Sequence, residues 1–374
     1  MKWSVAKGGE FVKRLSQPLE YRRDISLYGT SNLYPQMVGE VMFRSPITLS
    51  AVNALSDFTS GDGFTLNGGL VINEDDQSIN DLLKIVGATY SKNNGWALHF
   101  NVNELGLITD ITPVDFDYVR FGLPDNDGIH RDVKVNSNWE GDPNKTIRRS
   151  AEEVDAFELW QRRDELPPDD VEDFNGYILY WTPLPDQYPK ATFDAVLDSA
   201  QTNGEIQIFE LANIQNGFQS AAFYLHRGKV ESEAERRRIL GMLGSMKGAE
   251  NANSVGLLEV PIDFDSNILE SVAANNNDRL FELTNDNSME RIIANYGMPT
   301  AILGIQPDGG IFNQEQLNDA YIYYNLRTRN RRTSLSDAFN KFMQFWHMGP
   351  IDLGEIKEQT FTVTNGGDTL NRET

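Results

Sequence analysis

The chain has 374 residues, with 33 Lys and Arg against 55 Asp and Glu, so its formal net charge is -22. Hydrophobic residues make up 40% and charged residues 24%, which is typical of a globular protein of two or three domains. This charge argues against tight binding of nucleic acid, because such binding needs clustered Lys and Arg that displace counterions from phosphates. The absence of cysteine excludes disulfides, zinc–thiolate sites, iron–sulfur clusters and thiol catalysis.

No apolar run is long enough for a signal peptide or for a membrane span, which needs about 18 apolar residues. We therefore expect a chain that is made in the cytoplasm and has no membrane partner. The Asn144-Lys145-Thr146 sequon is interpreted as a chance match, because glycosylation follows secretion.

In the first quarter of the chain, the sequence pattern predicts loops followed by two helices. Residues 1–44 are predicted to be loop-rich, with an extended stretch at Leu33-Tyr34-Pro35. Ser45-Pro46 fits the first positions of a helix that ends at Gly61-Asp62-Gly63. A second amphipathic helix is predicted from about residue 77 to residue 90, with its apolar side chains on one face.

The apolar period then changes to that of strands. Residues 96–182 are predicted to form a β-rich unit. It begins with a hairpin whose strands are Trp96–Val102 and Leu107–Ile111, joined by a turn that contains Gly106.

The second half of the chain is predicted to be mainly helical. A helical stripe after Tyr188 is interrupted at Gly204 and ends at Asn216-Gly217. A charged helix follows at 231–246, and a short strand is predicted at 254–260. The last long helix is predicted at 313–346, and a tail of Gly, Thr, Asn and Asp follows it. The apolar positions of that helix are predicted to face inward: Leu317, Tyr321, Tyr324, Leu335, Phe339 and Phe342.

A long helical pattern at 266–296, closed by Gly297 and Pro299, has unusually few apolar residues. Such a helix cannot stabilise itself in a monomer core and would need neighbours along its length. The Asn275-Asn276-Asn277 run could equally break it into two shorter helices.

Motifs for enzymatic chemistry are weak or absent. The sequence has no P-loop, nucleophile elbow, dinucleotide fingerprint or zinc-protease motif, and its four histidines have no short metal-ligand spacing. We interpret His99 as a structural histidine in a strand. Asp115/Asp117 and Asp263/Asp265 form carboxylate pairs in D-F-D triplets, which favour acids in turns over acid–base catalysis. An acidic carboxylate-dependent hydrolase that uses Asp115 and Asp117 stays open as the alternative function.

Two arginine clusters stand out against the acidic background. Arg327, Arg329, Arg331 and Arg332 would spread around the last helix rather than form one stripe. We interpret them as partners of acidic residues in ion pairs within or between subunits. Contact with the phosphates of a nucleic acid is the more specific alternative. The second cluster, Arg236, Arg237 and Arg238, allows the same interpretations and also docking to a partner.

The order and spacing of several segments resemble the portal proteins of tailed bacteriophages over roughly residues 40–346. Ile292–Gly304 is similar to the family's "I-A-x-x-F/Y-G-V-P-P-x-L-L-G" element, with Thr300 in place of a second proline, and is the most specific match. The other matching segments are the hairpin region Gly95–Val114, Asn216-Gly217-Phe218, and Gly248–Glu259.

The resemblance implies an α+β, portal-like fold with a mixed α/β wing, a long helical stem, a small α/β clip, and a tunnel loop followed by a long helix. It implies these segments: 1–189, N-terminal segment and wing; 190–216, first stem helix; 217–265, clip; 266–297, second stem helix; 298–346, tunnel loop and wing helix; and 347–374, a short C-terminal segment or tail.

The resemblance also implies roles for particular residues. Leu280, Leu283, Ile292 and Ile293 would pack the stem, Arg236–Arg238 would dock a partner at the clip, and Arg327–Arg332 would contact a neighbouring subunit or DNA. The tunnel loop would contain Gln306, Pro307, Asp308, Gly309, Gly310, Ile311 and Phe312.

A portal would be a ring of twelve subunits at one capsid vertex, through which double-stranded DNA is packaged and ejected. Its expected partners are the major capsid and scaffolding proteins, the terminase large subunit and the head–tail adaptor. It would have no cofactor and no enzymatic activity, and it would occupy the virion after assembly in the host cytoplasm. Another ring-forming head–tail connector is a closely related alternative.

Overall fold

The structure, a computed structural model, describes residues 21–22, 25–139, 155–160, 176–184, 187–215, 222–227, 234, 256–260, 269–271, 278–305 and 313–361. The described helices are α1 Tyr34–Arg44, α2 Pro46–Ser60, α3 Ile79–Asn93, α4 Leu197–Gln215, α5 Asp278–Tyr296 and α6 Gln314–Met343. The described strands are β1 Tyr21–Arg22, β2 Ile25–Ser26, β3 Trp96–Val102, β4 Ile108–Val114, β5 Val119–Phe121, β6 Asp132–Val135, β7 Asp155–Leu159, β8 Tyr177–Trp181, β9 Ala222–Arg227, β10 Gly256–Val260 and β11 Leu269–Ser271. This mixture of helix and sheet confirms the α+β class. None of the described helices is long and apolar enough to cross a membrane.

The chain divides into two compact units. The larger unit consists of Arg14–Glu40, Thr48–Ala195 and Ile293–Thr374, and the smaller unit of Met1–Lys13, Val41–Ile47 and Val196–Ile292.

The larger unit contains a six-stranded mixed sheet in the order β4-β3-β8-β7-β6-β5. All neighbouring strands are antiparallel except β7 and β8, which are parallel. The predicted hairpin is present, with Ala97 opposite Val114 and Phe100 opposite Ile111. The β-rich unit predicted at 96–182 is therefore confirmed.

The core of the larger unit lies between this sheet, α3 and the C-terminal half of α6. Trp96 and Phe100 of β3 are completely buried, as are Leu335 and Phe339 of α6. The inward face predicted for α3 is confirmed by the buried side chains of Ile79, Leu82, Leu83 and Val86. The helix begins after Ser78, whose hydroxyl accepts a hydrogen bond from the Asp81 amide in a capping box.

The segment after α6 is not a tail over its described part. Leu353 and Ile356 are buried in the core, and residues 353–357 pair with residues 63–66 through backbone hydrogen bonds. One of these joins the Lys357 amide to the Gly63 carbonyl at 2.9 Å. The prediction of a tail is therefore wrong for residues 353–357. The buried side chains of Leu353 and Ile356 and the hydrogen bonds to residues 63–66 hold this stretch against the core, although its other residues are polar.

Two predictions about helices also need correction. Residues 34–44 form helix α1 rather than an extended stretch, because Pro35 lies in the first turn, where a missing amide costs no helical hydrogen bond. Helix α4 runs through Gly204 without interruption. A Cβ at Gly204 would lie 3.1 Å from Cβ of Arg44, so the glycine permits close packing instead.

The smaller unit contains α4, most of α5 and a three-stranded sheet in the order β10-β9-β11. Strand β10 is parallel to β9, and β11 is antiparallel to it. The strand predicted at 254–260 is confirmed as β10. The long helix predicted at 266–296 is wrong over its first part, where β11 pairs with β9 and the helix starts only at Asp278. The Asn275–Asn277 run, at which the sequence also allowed a break into two shorter helices, lies outside the described residues.

Helices α4 and α5 contact each other within the smaller unit. The rings of Phe209 and Phe281 stack with their centroids 4.8 Å apart. Asn203 donates a hydrogen bond of 2.8 Å to the side chain of Asn285. Because 203 pairs with 285 and 209 with 281, the two helices run antiparallel.

Candidate functional site

All residues predicted for the tunnel loop and the clip docking site lie outside the described residues. This holds for the whole of Gln306–Phe312 and for Arg236–Arg238. In the predicted stem set, Leu280 lies in α5 but its side chain is not described, Ile292 is completely buried, and Leu283 is 50% exposed.

The arginines of α6 fall into two groups. Arg331 and Arg332 are bound inside the larger unit, whereas Arg327 and Arg329 are exposed. The Arg332 guanidinium donates to the backbone carbonyls of Phe58 and Asn325 at 2.9 and 2.8 Å. It also lies 3.6 Å from the exposed carboxylate of Glu358, the ion pair that the sequence favoured. Arg332 therefore holds elements of one unit together, and the inter-subunit or DNA contact predicted for it stays a prediction.

Arg331 also contacts other elements of the larger unit, mainly Tyr90 and Asn94. Its guanidinium lies over the ring of Tyr90, 3.6 Å from the centroid, and donates to the Tyr90 carbonyl at 2.7 Å and to the side chain of Asn94 at 3.3 Å. Burial lowers the pKa of this guanidinium from its ordinary value, although an arginine keeps its charge at neutral pH. Its Nε atom is buried and has no hydrogen-bond partner among the described residues.

Arg327 is positioned by the segment that carries the most specific portal-like motif. Its Nε donates to the backbone carbonyl of Tyr296, the last residue of α5, at 2.8 Å. Gly297 follows with φ of +54°, and a Cβ at this position would lie 2.4 Å from Cζ of Arg327. Only glycine combines this backbone conformation with space for the guanidinium. The motif Ile292–Gly304 and the arginine cluster are therefore joined at one point of the fold.

These residues line a polar cavity in the larger unit, which we call the Arg327 pocket. Its volume is about 640 Å³. The residues that line it are Leu55, Asn94, Lys190, Ala191, Thr192, Asp194 and Ala195, then Asn295 and Tyr296 at the end of α5, and Tyr324, Arg327, Thr328 and Arg331 of α6.

The charge of the Arg327 pocket is opposite to that of the whole chain. Three cations line it, namely Lys190, Arg327 and Arg331, and the single acid in its lining is Asp194. The Asp194 carboxylate is 7% exposed and accepts a hydrogen bond of 2.8 Å from the Tyr34 hydroxyl. This carboxylate is therefore largely committed to a contact inside the fold.

Two tyrosines form the inner wall of this pocket. The Tyr296 hydroxyl lies 3.0 Å from the Thr192 hydroxyl, which itself donates to the Ser91 carbonyl. Tyr324 is 1% exposed, and its hydroxyl has no hydrogen-bond partner among the described residues. Burial raises the pKa of both phenols well above 10.0, so both are neutral at ordinary pH.

The carboxylates proposed for hydrolysis have structural roles. Asp115 caps a short 3-10 turn and accepts a hydrogen bond from the Asp117 amide at 3.0 Å. Asp117 forms an ion pair with Lys92 and accepts a hydrogen bond from Asn93 at 3.1 Å. These contacts agree with the prediction that both residues are acids in turns. Each carboxylate stabilises the local structure around it.

In the described part of the chain, the histidines and acidic residues form no metal-binding site. His99 lies in β3 with its ring stacked edge-on against Phe157, as expected for a structural histidine. His130 and His347 each bring Nδ1 close to a backbone carbonyl. No group of three His, Asp or Glu that could hold a metal occurs among the described residues.

Sequence reasoning missed two residues of structural or functional weight. Arg120 is completely buried and donates to backbone carbonyls of Asn32, Asp117 and Val119. A charged residue between Val119 and Phe121 in a predicted strand could have indicated a buried arginine with hydrogen-bond partners. Lys190 had no local signal, because only the tertiary fold brings it beside α6.

Comparison with solved structures gives matches over most of the chain. A chain in the virion of a native gene transfer agent particle aligns over 85% of this chain and 83% of its own length, with 15% identity and a TM-score of 0.51. A chain in the neck of an empty gene transfer agent particle, computed with C6 symmetry, gives the same identity and TM-score, with 85% and 84% covered. The chain shares the fold of these particle chains.

An HK97 family phage portal protein from Corynebacterium diphtheriae aligns over 83% of this chain and 90% of its own length. Its identity is 13% and its TM-score is 0.38. No family model and no curated protein sequence matches the chain.

Proposed function

We propose that the chain is the portal subunit of a tailed phage or a related particle, and that copies of it form a ring at one vertex through which double-stranded DNA passes. The observation that carries this proposal is the shared fold with chains of gene transfer agent particles. The portal-like motif Ile292–Gly304 supports it independently, because that resemblance comes from the sequence alone. In the structure, Tyr296 and Gly297 of this motif contact Arg327.

The smaller unit supports assembly into a ring. Its paired helices α4 and α5 expose Leu211 by 54% and Leu283 by 50%. Large apolar side chains left exposed on paired helices favour burial against other chains. We propose that both helices form the stem of the ring, with Leu280, Leu283, Ile292 and Ile293 in its packing, and that the three-stranded sheet belongs to the clip.

The acidity of the chain suits a channel for DNA. Many copies at -22 each would repel phosphates, so that DNA could slide rather than bind. We propose that Gln306–Phe312 is the loop that narrows this channel. Residues 217–265, with Arg236–Arg238, would dock the terminase large subunit and later the head–tail adaptor. The role proposed for the chain is structural and not enzymatic.

The test is the oligomeric state of the purified protein. Mass photometry and negative-stain electron microscopy should show rings with a central hole and a mass of about 500 kDa, as twelve chains of 42.2 kDa would have. Co-expression with the capsid and scaffolding proteins serves as the second condition, since both are expected to promote assembly. A monomer under both conditions would refute the proposal.

The function of the ring is tested by deleting Gly309-Gly310-Ile311. Rings should still form, while the particles package or retain less DNA. Wild-type DNA content in particles that carry the deletion would contradict the role proposed for this loop.

A further inference from the structure

The N-terminal half of α6 carries an apolar strip that no described residue covers. Ile322, Tyr323 and Leu326 are 52%, 51% and 63% exposed. Since positions 322 and 326 are one turn apart and 323 lies beside them, the three side chains form one patch. We call this patch the Leu326 strip.

The Leu326 strip adjoins the Arg327 pocket along the same helix. Tyr323 and Arg327 are one turn apart, and Leu326 is next to Arg327 in sequence. Within the described residues, neither Lys190 nor Arg327 forms an ion pair. The apolar patch and the cationic cavity thus form a continuous surface with an apolar part and a positive part.

The wall of the Arg327 pocket also has unused donors. The Tyr324 hydroxyl and Nε of Arg331 are buried, and neither has a partner among the described residues. Because neither atom is exposed, the groups that an occupant of the pocket can reach are the exposed cations Lys190 and Arg327. A carboxylate supplies hydrogen-bond acceptors and the complementary charge for both of them.

Charge decides which occupant fits best. A second copy of this chain carries 55 Asp and Glu against 33 Lys and Arg, so its surface is rich in carboxylates. In a ring, each subunit presents one surface to a different surface of the next subunit. A neighbouring copy can therefore supply an apolar surface for the strip and an acid for the pocket.

We infer that the Leu326 strip and the Arg327 pocket together form the face on which the next copy of the chain docks, and that an acidic side chain of that copy enters the pocket beside Lys190 and Arg327. This inference rests on the proposed ring. The strip supplies the apolar centre of the interface and the pocket supplies its charged part.

The experiment compares two variants of this face with matched controls. Leu326→Asp places a charge in the strip, and its control is Leu105→Asp, at a leucine that is 72% exposed in the turn between β3 and β4. Arg327→Glu reverses a charge in the pocket, and its control is Lys341→Glu, at an exposed lysine of the same helix that does not line the pocket.

Ring formation is measured by mass photometry over a concentration series, and folding by circular dichroism. We expect both variants to remain folded and to need at least about tenfold more protein for assembly, whereas both controls assemble like the wild type. Should Arg327→Glu be unfolded, Lys190→Glu takes its place, since Lys190 is exposed and makes no described ion pair.

Wild-type assembly by either face variant would overturn the inference while leaving the proposed function intact. Failure of the wild-type chain to form rings would instead refute the proposed function. A pocket variant that assembles normally but loses salt-dependent binding of double-stranded DNA would also overturn the inference, because the pocket would then be a phosphate site.

Discussion

The two halves of helix α6 have opposite environments although they belong to one continuous helix. In the C-terminal half, Leu335, Phe339 and Phe342 are at most 1% exposed and pack against the sheet and α3. In the N-terminal half, Ile322 and Leu326 are more than half exposed. Apolar residues on a helix therefore indicate a surface that needs covering, but they do not say whether the same chain or another one covers it.

The largest effect is expected from Phe339→Ala. Phe339 is completely buried, with ring centroids of Phe64, Trp96 and Phe342 at 5.4, 5.9 and 5.0 Å. The free energy of unfolding should fall by about 3–5 kcal/mol, because the substitution leaves a cavity among rings that cannot collapse into it. Urea denaturation of the dilute, unassembled chain measures this.

The control for Phe339→Ala is Leu326→Ala in the exposed half of the same helix. In the unassembled chain it should change the free energy of unfolding by no more than about 0.5 kcal/mol. Similar losses for both variants would mean that the strip is already buried within one chain.

An intermediate effect is expected from Arg332→Met, which tests the arginines rather than the apolar residues of α6. The substitution leaves the carbonyls of Phe58 and Asn325 and the Thr328 hydroxyl without their donor. We expect a loss of about 2–4 kcal/mol in the free energy of unfolding, measured by urea denaturation. Arg329→Met, at an exposed position three residues earlier, should change it by less than about 0.5 kcal/mol. A small loss for Arg332→Met would show that this residue does not hold the unit together.

The smallest effect is expected from Tyr324→Phe, which removes a buried hydroxyl without a described partner. At neutral pH the substitution should be neutral or stabilise the fold by up to about 1 kcal/mol. Burial raises the pKa of Tyr324 above 10.0 in the folded state. Above that pH the unfolded phenol ionises while the folded one stays neutral, so stability falls as pH rises.

The Tyr324→Phe variant should lose less stability than the wild type at alkaline pH. The slope should be smaller by about 1.4 kcal/mol per pH unit, since one fewer proton is released on unfolding. Urea denaturation at several pH values above 10 measures the slope, and Tyr323→Phe, at a side chain that is 51% exposed, is the matched control. Equal slopes in the two variants would contradict the prediction.

Several elements could be predicted from the sequence because their signals are local. The alternating pattern of Trp96–Val102 identified the hairpin, and the apolar period of residues 314–343 identified α6. The prediction was poorest where a local signal competed with tertiary contacts. Residues 269–271 join a sheet because β9 offers them a partner, and residues 353–357 pair with 63–66 for the same reason.

The candidate site was predictable only in part. The motif at Ile292–Gly304 and the cluster Arg327–Arg332 were both noticed as sequence features, but nothing in the sequence joined them. In the structure Tyr296 and Gly297 contact Arg327, while Arg331 and Arg332 turn to backbone carbonyls of other elements.

The sequence by itself determined the α+β class, the acidity, the absence of cysteine chemistry and the resemblance to portal proteins, because composition, apolar period and motif order are properties of the chain alone. Only the tertiary structure decided which arginines are structural and which remain available. Four charges within six residues are equivalent along the chain, and they become different only when the fold encloses Arg331 and Arg332, which donate to carbonyls of other elements, and leaves Arg327 and Arg329 exposed.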